Sequence, residues 1–427
     1  MADNLISRDR EVIWHPFTSL GSNDEPLPAV KGEGVYIELE DGRRIIDGVS
    51  SWWVNLHGHG NKHIAKAVAK QAADLEHVIF AGFTHEPAVK LAEEVLSITP
   101  QNQKKVFFSD NGSTAVEVAL KMAFQYWHNQ KIEKKKVIAI NGSYHGDTFG
   151  AMSVGDRDVF VKPFIPYLFD VEFIDFPGSE NQQDVLAQFA DIIDTDDVAA
   201  FIFEPLVQGS AGMRIYDAEV LDTMLSMAKG AGVVCIADEV FTGFGRTGKM
   251  FACDHLRHNP DIMCLSKGLT GGAMALGATT CTLDIQKPFR TSDLLKTFFH
   301  GHSYTGNPIA CASGVASMEL LKSDECQNKI KKICEWHKTS AVRLGGNRAI
   351  KNVRHFGTIL AFEVKTLKDT GYFNEVRHKL YPTFLKHDVL LRPLGNVVYF
   401  LPPYCITEEE YQKVIDVIEK VMKEINS

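Results

Sequence analysis

The chain has 427 residues, 45% of them hydrophobic and 23% charged, which is the composition of a folded protein with room for two or three domains. A disulfide-stapled mini-protein and a disordered chain are both excluded. The 45 Lys and Arg against 54 Asp and Glu leave a net charge of -9, so no overall basic field attracts nucleic acid or an anionic membrane.

The chain order opens with Met1 to Trp14, where Asp3, Arg8, Asp9, Arg10 and Glu11 interrupt any apolar region of the kind a secretory signal needs. Val35–Glu38 and Arg44–Asp47 around Asp41-Gly42 predict a hairpin. Through the middle, short apolar runs at Val106–Phe108, Val137–Ile140, Ala199–Phe203, Val233–Ala237, Ile262–Leu265 and Gly277–Cys281 predict buried strands of a mostly parallel sheet. Helical patterns at Ile64–Val78, Thr114–Trp127 and Ala218–Ala231 supply its crossovers and cover its faces. The fold class is therefore α/β. After about residue 310 a long helix, strands at Thr358–Val364 and Val397–Leu401, and a last helix opened by Thr407 predict a smaller α+β domain. The expected division is residues 1–55, packing with the small domain, then 56–312 and 313–427. No run reaches the roughly 18 apolar residues of a membrane span, and eight cysteines without a C-x-x-C pair suit a reducing compartment; a cytoplasmic location is expected.

The chemistry lies at strand ends. Ile262–Leu265 runs into Ser266 and Lys267, and desolvation there lowers an amine's pKa toward the neutral form that condenses with an aldehyde as a Schiff base. Alone, a strand-end lysine more often belongs to a solvated edge or an ion pair. The strand Val233–Ala237 ends in Asp238 and Glu239, and α/β sheets place ligands at such carboxyl ends. A carboxylate beside that lysine is the pair pyridoxal phosphate requires, one group for its aldehyde and one to keep its pyridine nitrogen protonated. The plainer alternative has Asp238 capping a turn and Glu239 in a surface pair. Gly112, Ser113 and Thr114 open a helix after Val106–Phe108 and offer phosphate donors, although Thr114 and Glu117 also have capping-box spacing. Ser303 is a second candidate phosphate contact. Tyr144, His145 and Asp147 follow Val137–Ile140 onto the same edge, with Tyr144 able to stack on a ring. Neither dinucleotide nor P-loop fingerprints occur, and the 16 histidines include no H-E-x-x-H, so no metal is expected.

Asn111-Gly-Ser-Thr-Ala-Val-Glu117, Tyr144-His-Gly146, Glu204-Pro205, Asp238-Glu-Val-Phe-Thr-Gly-Phe-Gly-Arg-Thr-Gly248, Ser266-Lys-Gly268 and Gly301-His-Ser-Tyr-Thr-Gly-Asn-Pro308 together resemble the pyridoxal-phosphate aminotransferases of fold type I, in the subgroup of the ω-amino acid aminotransferases. Ile13-Trp-His-Pro16, Asp47-Gly-Val-Ser-Ser-Trp-Trp53, Tyr144 to Ser153, Val207-Gln-Gly209 and Arg392-Pro393 before Tyr399-Phe-Leu-Pro-Pro403 narrow the resemblance to its branch in biotin synthesis. That resemblance implies transamination of 8-amino-7-oxononanoate to 7,8-diaminononanoate, with S-adenosylmethionine as amino donor. Lys267 would carry the cofactor and Asp238 would pair with its pyridinium. Tyr144 would stack on it, and Gly112, Ser113 and, from the neighbouring subunit of a homodimer, Ser303 would hold its phosphate. Trp52, Tyr144 and Asp147 would line the substrate pocket, with Arg392 and Arg246 at the acceptor's carboxylate end. Phe17 stands where the family carries a tyrosine, Ser303 where it carries a threonine, and Gly58 to His63 is looser than the family's turn. Two alternatives stay open: an ω-aminotransferase acting on lysine, ornithine or 4-aminobutyrate, and a non-enzymatic small-molecule-binding protein.

Overall fold

The structure, a computed structural model, describes residues 5–21, 25–156 and 160–425. Residues 1–4 of the expected N-terminal segment, Asp3 among them, and the last two of the C-terminal one lie outside the described residues.

Seven strands form the central sheet: β1 (Gln103–Ser109), β2 (Lys136–Ile140), β3 (Glu172–Ile174), β4 (Val198–Phe203), β5 (Val234–Asp238), β6 (Ile262–Leu265) and β7 (Gly277–Thr282), in the order β1-β7-β6-β5-β4-β2-β3. Side chains of one strand alternate between two cores. Val234 and Ile236 of β5 face the helix Gly112–Asn129, while Cys235 and Ala237 join the cluster that holds Leu221, Met224 and Leu225 of the helix Ala218–Gly230. Both faces are apolar, which is why the sequence shows no polar alternation there. Each buried Phe or Ile contributes about 1.5–3 kcal/mol, so this double layer is a rigid support for the loops at its edge.

One strand departs from the parallel pattern. β7 runs antiparallel to both β6 and β1. Only residues 266–276 separate β6 from β7, and a crossover between parallel neighbours takes a dozen or more residues. β3 was not legible in the sequence; it is a three-residue edge strand with one fully buried side chain, Ile174.

The N-terminal strands Ala29–Glu33, Tyr36–Leu39 and Arg44–Asp47 make a sheet whose fourth member is Val389–Leu390, parallel to Arg44–Asp47 in the register Ile46↔Val389. This pairing joins Arg44–Asp47 to the C-terminal part of the chain. There, Ile350–Phe356, Ile359–Val364 and Val397–Phe400 form an antiparallel sheet. The expected long helix after residue 310 is two, Pro308–Leu321 and Asp324–Gly345, because Ser323 starts the second by accepting the Cys326 N–H at 3.2 Å. The last helix, Glu408–Glu424, opens with the Thr407/Glu410 capping box and buries Tyr411, Val414, Ile415, Ile418, Val421 and Met422 along one face.

Candidate active site

The carboxyl ends of β2, β4, β5 and β6 meet at a cavity of about 670 Å³. Gly112, Ser113, Tyr144, Asp147, Asp238 and Lys267 all line it, together with Trp53, His145, Glu204 and Phe241. Its position follows from the register: β5 and β6 run side by side with Asp238 opposite Cys264, so the residues just past Leu265 arrive next to the carboxylate.

Lys267 follows Ser266, whose hydroxyl donates to Leu276 O at 2.7 Å, and takes a left-handed φ of +44° at the sharp exit from the strand. Its ammonium lies 4.5 Å from the centre of the Trp53 ring and 5.7 Å from that of Phe241. Burial among these rings lowers its pKa from 10.5 to about 8, against the raising effect of Asp238 and Glu204, with Arg246 adding to the depression. A useful fraction of the amine is therefore neutral near physiological pH.

Asp238 is 4% exposed and holds two donors, His145 Nδ1–H on Oδ2 at 2.7 Å and the Val240 N–H on Oδ1 at 3.1 Å. His145 is itself buried, and its Nε2 has no partner among the described residues. Glu239, read from sequence alone as the surface half of an ion pair, is instead fully buried. It accepts Thr242 Oγ1–H at 2.6 Å and the Cys253 and Ala252 N–H groups at 2.7 and 3.1 Å, fixing the loop after β5, and burial pushes its pKa up to about 7. Glu204 ties two further loops together, accepting Tyr144 N–H and Gly209 N–H at 3.0 Å each, and desolvation raises its pKa to about 7. The Tyr144 ring is 40% exposed toward the cavity, and burial of its hydroxyl beside Asp147 raises that group's pKa.

At the other wall, the helix Gly112–Asn129 points its N-terminus inward. Gly112 and Ser113 are its first residues, whose N–H groups have no intrahelical acceptor. The cap differs from the spacing argument: Asn111 Oδ1 accepts Thr114 N–H at 3.0 Å and Thr114 Oγ1 accepts Asn111 N–H at 3.0 Å. Glu117 is freed from capping and accepts the Gly150 N–H at 2.6 Å instead. Ser113 Oγ accepts Thr148 N–H at 2.9 Å, which brings the Tyr144 loop onto the helix end.

These residues fit pyridoxal phosphate on structural grounds. A Cβ on Gly112 would sit 2.6 Å from Val240 Cγ1, so bare backbone is required at the helix end where a phosphate would be received. Lys267, Asp238 with His145, and the open face of Tyr144 are arranged around the same space.

Not every expected site residue reaches the cavity. Arg246, expected at a substrate carboxylate, is not among the cavity-lining residues: it is 1% exposed and donates to Pro402 O at 3.1 Å and to Trp53 O and Asn55 O at 3.3 and 3.4 Å. Its two terminal nitrogens answer to three backbone carbonyls that no charge signal in the sequence marks, while its Nε has no partner among the described residues. Ser303 is exposed and outside this chain's own cavity. Trp52 and Arg392 meet each other nearby, the guanidinium 4.5 Å above the indole, and Phe17 packs edge-on against Trp52 at 5.6 Å. Sequence reasoning placed His145 on this edge without its contact to Asp238, and missed Trp53 and Phe241 as the immediate neighbours of Lys267. The doubled tryptophan was the one available signal, and it did not say which ring goes where.

The two tryptophans are carried by an uncommon backbone. Ser50, Ser51, Trp52 and Trp53 all have left-handed φ, from +45 to +74°. A left-handed helical residue costs an L-amino acid about 1–2 kcal/mol.

A buried lysine and carboxylate at adjacent strand ends, facing a helix N-terminus across a stacking ring, define a pyridoxal-phosphate enzyme on an α/β sheet. The class-III aminotransferase family model matches residues 19–422, and the chain belongs to that family. It is 46% identical to the adenosylmethionine-8-amino-7-oxononanoate aminotransferase of Synechococcus elongatus, over 97% of this chain and 99% of that one. The Staphylococcus aureus protein of the same name is 36% identical over 99% and 98% of the two chains. Among solved structures, the adenosylmethionine-8-amino-7-oxononanoate aminotransferase of Methanocaldococcus jannaschii superimposes with a TM-score of 0.94 at 34% identity, covering 98% of each chain. An amine transaminase from an uncultivated Pseudomonas species, solved with pyridoxal phosphate bound, gives 0.90 at 28% identity over 97% and 98%. The enzyme is thus a pyridoxal-phosphate-dependent aminotransferase.

Proposed function

We propose that the enzyme transfers an amino group to the keto carbon of 8-amino-7-oxononanoate, forming 7,8-diaminononanoate, with S-adenosylmethionine as donor. The observation that carries this reading is the contact of Arg392 with Trp52, the sequence neighbour of the cavity-lining Trp53, with the guanidinium 4.5 Å from the indole centre. It suits a long alkyl chain that ends in a carboxylate. The printed names of the relatives support it.

Bound pyridoxal phosphate supplies an aldehyde for amines and a protonated ring that spreads the negative charge developing on the donor's α-carbon. Lys267 Nζ, its pKa lowered to about 8 by burial, would move the donor's α-proton. Asp238, oriented by His145 and by the Val240 N–H, would keep the ring nitrogen protonated. Gly112 and Ser113 N–H would hold the phosphate, and Tyr144 would stack on the ring. Trp53 and Phe241 exclude water around the lysine.

Arg392 recognises the acceptor's carboxylate in this reading. Arg392→Ala is expected to cost on the order of 2–4 kcal/mol of acceptor binding in steady-state kinetics, with the donor half-reaction changed far less. Equal damage to both halves would mark a structural arginine.

Asp147, exposed at the cavity rim beside Tyr144, is the carboxylate offered to a donor bearing a sulfonium and an α-amino group. Stoichiometric S-adenosylmethionine is expected to pass one amino group to the holoenzyme, measured as its released keto form. Failure with S-adenosylmethionine alongside ready transfer from lysine, ornithine or glutamate would overturn the donor. Phe17→Tyr should quicken transfer several-fold, because one neutral hydrogen bond contributes about 0.5–1.5 kcal/mol.

The same reading makes the enzyme a homodimer with Ser303 at the partner's phosphate. Leu294 and Leu295, 79% and 83% exposed, and Phe299 and Tyr304, 70% and 62%, lie in the same stretch of chain as Ser303 and offer apolar surface that a second subunit would cover. A cytoplasmic location is supported by eight cysteines that are all unpaired.

A further inference from the structure

Ser50–Trp53 is a full turn of left-handed helix, closed by Trp53 N–H to Val49 O and Val54 N–H to Ser50 O, both 2.9 Å. Single residues visit this conformation, but a run without glycine persists only where its surroundings over-determine it. Two groups hold it. Asp47, with no exposed surface, accepts the Val49 N–H at 3.2 Å on Oδ1, and the Ser51 hydroxyl at 2.7 Å and His59 Nε2–H at 2.9 Å on Oδ2. Arg246 grips the carbonyls at the far end, on Trp53 and Asn55. The turn sends Trp53 onto Lys267 in the cavity wall and Trp52, which is not among the lining residues, to Arg392.

We propose that Asp47 is a positioning residue: its carboxylate holds the left-handed turn and so sets the Trp52–Arg392 stack that receives the acceptor. Asp47 touches neither Lys267 nor the cavity lining, and its effect passes through the backbone of residues 49–53. The inference rests on the acceptor role given to Arg392 above.

Asp47→Asn keeps the volume but removes the charge that draws three donors together. The acceptor KM is expected to rise about tenfold with kcat changed by less than about threefold. In the cofactor-free protein, tryptophan emission is expected to shift to the red as Trp52, now 40% exposed, leaves Arg392 and meets more water. Ser51→Ala and Ser51→Gly both delete the hydroxyl, but only alanine keeps the Cβ that opposes positive φ. In the single variants, alanine is expected to raise KM about threefold and glycine to leave it near wild type. Added to Asp47→Asn, glycine is expected to restore at least about half of the KM and emission changes. The alanine and glycine pair carries the test even if Asp47→Asn does not fold. Unchanged KM and emission in Asp47→Asn, or identical behaviour of alanine and glycine, overturns the proposal. A wild-type enzyme inactive on the acceptor would overturn the proposed function instead, while the emission changes still decide the turn.

Discussion

Lys267→Ala is expected to leave a folded protein whose turnover falls by at least about 10⁴-fold, since the nucleophile and the proton carrier are lost together. No neighbour can replace it: Lys249, the nearest lysine in sequence, is exposed and donates to Asp254 O at 2.7 Å. Borohydride reduction of the native holoenzyme followed by peptide mapping should label Lys267, and a label on Lys249 would overturn the assignment. A second measurement reads the amine without any cofactor. The folded pKa of about 8 lies below the 10.5 of a solvated lysine, so between these pH values the unfolded chain binds a proton that the folded protein does not. Stability therefore rises with pH across this window, by up to about 3 kcal/mol, and the burden of burying the charged amine is full below it. Comparing cofactor-free wild type with Lys267→Ala, only wild type should show this increment. A difference curve flat from pH 8 to 10.5 would mean that the amine is solvated.

Asp238→Asn is expected to retain the cofactor, because Lys267 and the phosphate seat are untouched, while kcat falls by roughly 10²–10⁴-fold, about 3–5 kcal/mol of transition-state stabilisation. The amide fills the same space between His145 and Val240, but it has no charge to keep a pyridine nitrogen protonated. Its NH2 would also replace one of the two acceptor oxygens, so either His145 Nδ1–H or the Val240 N–H would face a donor in place of its acceptor. Near-native kcat in this variant would show that the charge is not needed. A protein purified without cofactor would show that Asp238 holds the ring rather than its proton.

The strand ends were legible because a doubly covered sheet demands continuous apolar runs, and polar residues interrupting them stand out. Lys267 and Asp238 each follow such a run directly, so one-dimensional order already put both on the same edge. Gly112 and Ser113 were legible for a related reason, as the residues between a strand and a helix. Where local signals suffice, the pattern is in the sequence. Arg246 shows where they stop. Its charge suggested a carboxylate ligand, yet its guanidinium lies among backbone carbonyls from residues 53, 55 and 402, and such acceptors have no signature in side-chain chemistry.

What the sequence by itself determined was the α/β class, the strand and helix order, and the pair of chemical groups at the ends of β5 and β6. Periodicity and strand-end polarity are properties of short segments, and they survive without knowledge of the rest of the chain. Tertiary structure decided the antiparallel β7, the contact of His145 with Asp238, the aromatic walls around Lys267 and the left-handed turn at Ser50–Trp53. Each of these depends on partners far apart in sequence. The turn is the clearest case, since its local preference opposes it: serine and tryptophan favour negative φ, and the conformation stands because Asp47, Arg246 and Leu401 O converge on it from three segments.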